Sequence, residues 1–222
     1  MTRAFANRTQ AGQSLAQALL PLKLERPVVL ALPRGGIPVA LEVARALDAP
    51  MDLLLVRKIG VPWQRELAVA AVVDGTRPEI VVDEEVQRST GVERSYIEAE
   101  AQRELQEIER RRRVYLKGRA PVEVTGCTAI VVDDGIATGT TVRAALKALR
   151  RREPAHLVLA VPVAPSDTVE ALAREVDRIV CLRQPEPFYA IGLHYEDFSQ
   201  LDDREVLALL AADEERHHAA KR

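Results

Sequence analysis

One stretch, Thr128 to Thr141 (TAIVVDDGIATGTT), constrains what this chain can fold into more than any other. Thr128–Val132 is a short run of apolar and β-branched residues, the pattern of a strand buried on both faces of a parallel sheet. Asp133 and Asp134 stand where that strand ends. From Gly139 onward Val142, Ala145, Leu146 and Leu149 recur at helical spacing, so a helix opens inside or just after the TGTT turn. A loop at the carboxyl end of a parallel strand, leading into a helix N-terminus, is where open α/β sheets bind ligands.

The residue types suggest what such a ligand carries. Free backbone N–H groups and the positive end of the helix dipole suit a phosphate at the TGTT turn. Gly135 and Gly139 allow positive φ and a close approach to an anion, and Thr138, Thr140 and Thr141 add hydroxyl donors. Two carboxylates accept hydrogen bonds only and would repel that phosphate at contact, so they suit vicinal hydroxyls at the ligand's other end. A ribose 5-phosphate has both ends. Side chains alternate along a strand, so both acids face one sugar only if the strand stops at Asp133. An ordinary βα turn is the plainer reading, because Asp-Gly is a common turn pair.

VVDDGIATGTT resembles the phosphoribosyl pyrophosphate (PRPP) binding motif of the type I phosphoribosyltransferases. The resemblance implies that Asp133 and Asp134 hold the ribose hydroxyls. It implies that Gly135, Ala137, Thr138, Gly139, Thr140 and Thr141 hold the 5-phosphate. The lysine of a Walker A loop is missing, and no GxGxxG follows a strand. Within the family, 6-oxopurine enzymes carry an Asp where this chain has Ala137, which turns the expectation away from hypoxanthine and guanine.

Upstream, Val28–Leu32 reads as a strand and PRGGIP (33–38) as a loop into a helix carrying Val39, Val43 and Leu47. Pro38 fits an ordinary helix start. The resemblance makes the loop a pyrophosphate site with Arg34, Gly35 and Gly36. Met51–Val56 reads as a strand ending in Arg57-Lys58, either plain surface charge or, by resemblance, further pyrophosphate contacts. Gly60–Arg65 reads as a loop holding Trp63, in the place of a mobile loop, either a plug or a packing contact. Segments 67–73 and 79–82 read as an edge or a hairpin. Thr90 and Glu93 fit a capping box opening a helix over 91–117 that stops at Gly118. Its stripe of Ile97, Leu105, Ile108 and Tyr115 looks too long for one small sheet to cover, which suggests a homodimer or a hood. Arg110–Arg113 alternate with glutamates four residues away, as on a solvated helix face. Asp167 with Glu170, and Asp202 with Glu205, fit two more capping boxes. Phe188 and Tyr189 either close the core or, by resemblance, stack on an acceptor.

The expected fold is therefore α/β, a mostly parallel central sheet flanked by helices, with a small hood and one long inserted helix. A single domain over 1–222 is expected, with its core at about 27–190 and a C-terminal hood and tail at 191–222. The net charge of −2 gives no electrostatic case for nucleic acid. No apolar run approaches the ~20 residues of a membrane span. The first dozen residues lack a signal peptide's apolar region and the two cysteines read as buried thiols, so a cytoplasmic location is expected. The resemblance implies Mg²⁺ held mainly through PRPP, and transfer of ribose 5-phosphate to a nucleobase or amine with release of pyrophosphate. The alternative is a regulator that senses PRPP or a nucleotide without transfer.

Overall fold

The computed structural model describes residues 4–75, 78–117 and 119–220, the last seven by backbone only. Gly118 and the side chains of His217 and His218 lie outside the described residues. The chain runs α1 (Arg8–Leu19), β1 (Pro27–Ala31), α2 (Gly36–Ala46), β2 (Met51–Leu53), β3 (Val56–Val61), β4 (Gln64–Val73) and β5 (Glu79–Val82). It continues through α3 (Glu84–Thr90), α4 (Arg94–Leu116), β6 (Thr128–Val132), α5 (Thr140–Arg150), β7 (His156–Val163), α6 (Ser166–Leu172), β8 (Arg178–Arg183) and α7 (Asp203–Ala220).

Five strands form a parallel sheet in the order β2-β1-β6-β7-β8. Successive residues of each strand serve opposite faces. Ile130, Val132, Val158 and Ala160 pack with α1 and α2, while Ala129, Val131, Leu157 and Leu159 pack under α5. The central strands β1, β6 and β7 are thus buried on both sides and read as near-continuous apolar runs, while the edge strand β8 is only partly buried. Strand order reverses between β1 and β6, and a crevice opens at their carboxyl ends.

The region between β2 and β6 departs from expectation. Met51–Val56 is not one strand: the chain leaves the parallel sheet after Leu53, and β3 belongs to a second, antiparallel sheet, β3-β4-β5. The expected loop at 60–65 is the tip of the β3–β4 hairpin, with only Pro62 and Trp63 between strands. This sheet is a filling between two helices. Ile59, Ala70 and Val72 meet Ile97, Ala101 and Ile108 of α4, whereas Ala71, Val73 and Val81 join the α5 side.

The long helix is therefore covered within the chain. Ile97, Ala101, Ile108 and Tyr115 are buried and Leu105 is partly so, and the Tyr115 hydroxyl donates to Asp203 at the start of α7 at 2.6 Å, so the far end of the stripe meets the C-terminal helix and the apolar exposure that suggested a dimer is not found. Its start differs too. Thr90 ends α3, donating its hydroxyl to the Val86 carbonyl, and Gly91 turns the chain with φ +68°. Short-range hydrogen bonding captured the threonine before it could cap the next helix. Arg112 is not on a solvated face: it turns inward to Asp74, which is 3% exposed, and lies 3.7 Å from Asp52. The Asp202–Glu205 box forms reciprocally, at 2.7 and 2.8 Å. The Asp167 box does not form, because Pro165 takes the cap position and Asp167 falls in the first turn of α6. Among the described residues no helix is long and apolar enough to cross a membrane.

Candidate active site

The crevice between β1 and β6 brings the two glycine-containing loops together. The strands run in register to Ala31 opposite Val132, and the Leu32 N–H donates to the Val132 carbonyl at 2.9 Å. Residues 33–36 therefore leave the sheet beside Asp133 and Asp134; the Pro33–Arg34 peptide is cis. A methyl group on Gly35 would stand 2.0 Å from the Asp134 Oδ2, and one on Gly36 2.7 Å from the Val132 carbonyl oxygen. Both positions need glycine because the two loops touch.

Strand β6 stops at Val132, so the acid pair escapes the alternation of strand side chains. Asp133 is half-buried and its Oδ1 accepts the Asp134 N–H at 2.8 Å. Loss of water, and then the negative Asp134 beside it, push its carboxyl well above the usual carboxylate range. Asp134 is 8% exposed and its Oδ2 accepts from the Arg8 Nε at 2.7 Å. The Tyr195 hydroxyl donates to the Asp134 carbonyl at 2.5 Å, and burial drives that phenol strongly upward.

Beyond the acids, the Ile136 N–H is anchored on the Val163 carbonyl and Gly139 adopts φ +72° just before α5. The first amides of α5 have no intrahelical acceptor. Ala137, Thr138 and Thr140 are exposed, Thr141 half-buried, and the Thr138 and Thr140 hydroxyls lie 3.4 Å apart. Gly139 thus serves positive φ, as expected. Gly135 does not: it is needed because a side chain would meet Ile191 at 2.6 Å.

The remaining candidates are divided. Arg34 stands at the loop but its Nη1 donates to the Leu201 carbonyl at 2.8 Å, with Asp203 at 3.7 Å. Arg57 pairs with Glu104 of the long helix at 2.6 Å. Lys58, next along β3, is exposed and shares a sheet face with Ala71. Phe188 stacks on His194 with centroids 5.6 Å apart, while Tyr189 is 77% exposed. Trp63, 68% exposed, sits at the hairpin tip. Arg8, Tyr195 and the Leu201 carbonyl escaped sequence reasoning. They lie far along the chain from their partners, and no local spacing marks them. Among the described residues no group of three or more His, Cys, Asp or Glu could hold a metal alone. The hard-oxygen donors at the crevice are the two aspartates, a set suited to Mg²⁺ that keeps substrate phosphates as its other ligands.

A doubly wound parallel sheet with an acid pair and a glycine turn at its switch point places the chain among open α/β proteins whose ligands sit in that crevice. The chain belongs to the phosphoribosyl transferase domain family, whose model matches residues 4–194. It is 45% identical over 207 residues to "Putative phosphoribosyl transferase Rv0571c" of Mycobacterium tuberculosis H37Rv and, equally, to its counterpart in strain CDC 1551. The match takes in 93% of this chain and 46% of each relative, so the chain spans about half the length of those proteins. The crystal structure of TT1426 from Thermus thermophilus superposes with a TM-score of 0.83 at 41% identity, over 94% of this chain and 98% of that one. AQ2163 from Aquifex aeolicus shares the fold at a TM-score of 0.51 and 12% identity, over 83% of this chain and 78% of its own.

Proposed function

We propose that this protein transfers ribose 5-phosphate from PRPP to a nitrogen acceptor, a nucleobase or an amine, releasing pyrophosphate. The observation that carries the reading is the contact of Gly35 and Gly36 with the acid pair. It supports a reading in which the 33–36 loop takes the pyrophosphate and the two carboxylates beside it take the ribose hydroxyls. In this reading the amides and hydroxyls from Gly135 to Thr141 hold the 5-phosphate, and Asp133 and Asp134 hold the ribose. Arg34 reaches the pyrophosphate by exchanging the Leu201 carbonyl for a phosphate oxygen, with Gly35, Gly36 and Lys58 beside it. Phe188 belongs to the wall, and the exposed Tyr189 is the ring free to stack on an acceptor.

Cleavage of the anomeric C–O bond builds positive charge on the sugar. A carboxylate that is costly to ionise in the free crevice gains most when a cation develops beside it, so Asp133 favours the transition state over the ground state. Mg²⁺, held mainly through PRPP, would supply charge neutralisation for the pyrophosphate. No covalent nucleophile is required. Ala137 offers no proton to a purine N7, so 6-oxopurines are disfavoured as acceptors.

The test is a screen of acceptors with PRPP and Mg²⁺ that follows pyrophosphate release. The variant Asp133→Asn with Asp134→Asn should keep binding ribose 5-phosphate and transfer at least about 10²-fold more slowly. Wild-type turnover in that variant would overturn the assignment. Calorimetry showing no binding of PRPP or any nucleoside 5-monophosphate at millimolar concentration would overturn the whole reading. PRPP binding without transfer to any acceptor would favour a sensing role.

A further inference from the structure

We propose that Arg8 is a positioning residue of the ribose site, holding the Asp134 carboxylate in one orientation so that it reads a sugar hydroxyl. The proposal rests on the PRPP reading above. Arg8 is the first residue of α1, capped by Asn7, whose side chain accepts the Gln10 N–H at 2.9 Å. A cation there opposes the helix dipole, and the first turn holds no acid to offset it. Local helix physics therefore gives no reason for arginine at this position. Its reason lies 126 residues away: the Nε donates to Asp134 at 2.7 Å, both side chains being 11% exposed.

The guanidinium is itself held from two further directions. Its Nη1 donates to the Ser199 carbonyl at 2.8 Å, and the ring of Phe198 lies 3.9 Å from its central carbon. Asp134 in turn is fixed by Arg8, by the close approach of Gly35, and through its carbonyl by Tyr195. An ion pair, a backbone carbonyl and an aromatic ring thus hold one guanidinium against one carboxylate oxygen, and Asp134 is left a single orientation in which to accept from a sugar hydroxyl.

The experiment uses ligands whose binding needs no knowledge of the acceptor. Dissociation constants for ribose 5-phosphate, its 2-deoxy and 3-deoxy analogues and inorganic phosphate are measured for wild type, Arg8→Gln and Arg8→Lys between pH 5.5 and 8. Thermal melts serve as a folding control. Wild type should prefer ribose 5-phosphate to at least one deoxy analogue. Arg8→Gln should weaken ribose 5-phosphate about tenfold or more, erase that preference and leave inorganic phosphate unchanged. Arg8→Lys should recover part of the preference, since it restores charge without the planar fork. Preference unchanged in Arg8→Gln would overturn the proposal, as would a loss shared equally by inorganic phosphate, which marks a merely structural tie. Should Arg8→Gln fail to fold, a wild-type preference undiminished in Arg8→Lys would overturn it equally. Absence of ribose 5-phosphate and PRPP binding in wild type would instead refute the PRPP reading itself.

Discussion

At the scale of single residues, the crevice holds a charge that stability alone would not select. Asp133 loses water and faces Asp134, so its carboxyl titrates above the range it has in the unfolded chain. The folded protein then binds more protons than the unfolded one between those two values. Stability on this account is greatest in acid and falls as pH rises through the folded value. Asp133→Asn should flatten that fall and raise the urea midpoint at pH 7, while transfer is lost. Urea titrations of both proteins from pH 4 to 8 check this, and a variant less stable at every pH would refute it. Ala137 makes a second residue-scale prediction. Guanine and hypoxanthine should turn over at least about a hundredfold less efficiently than the best acceptor found, because a general acid or base is worth about 10²–10⁴. Efficient formation of GMP or IMP would mean that another residue supplies the proton.

At the scale of elements, helix α4 is tied down by a buried ion pair as well as by its apolar stripe. Asp74, at the end of β4, has lost its water, and the Arg112 guanidinium only partly offsets that loss. Arg152 also donates to the Asp74 carbonyl. Removing one partner leaves an uncompensated buried charge, so Arg112→Met should cost about 3–5 kcal/mol. Arg112→Met with Asp74→Asn should recover most of it, because neither charge then needs a partner. A double-mutant cycle by urea denaturation reads both numbers. If Arg112→Met alone were neutral, α4 would depend on the stripe only.

At the scale of the whole molecule, the second sheet answers what the long helix packs on. Ile108, on α4, is buried within the chain in the cluster that also holds β3 and β4 residues. Ile108→Glu should therefore destabilise the protein by at least about 3 kcal/mol, by burying an unpaired charge, to the same extent at one and at fifty micromolar. A loss that shrinks with concentration would restore the interface idea. Much was legible beforehand. The core strands β1 and β6, the acid pair at a strand end and the helix opening at Thr140 follow from local apolar periodicity and turn chemistry, which neighbouring residues alone determine. The Asp202–Glu205 cap was readable for the same reason, its partners being three residues apart. Tertiary structure decided the rest. Only packing revealed that β3 leaves the core sheet, that Arg57 faces Glu104, and that Arg112 turns inward. The same holds for Arg8, which reaches Asp134 across 126 residues. Local spacing carries no record of which distant side chain will neutralise a buried charge; that is settled when folding removes the water from around it.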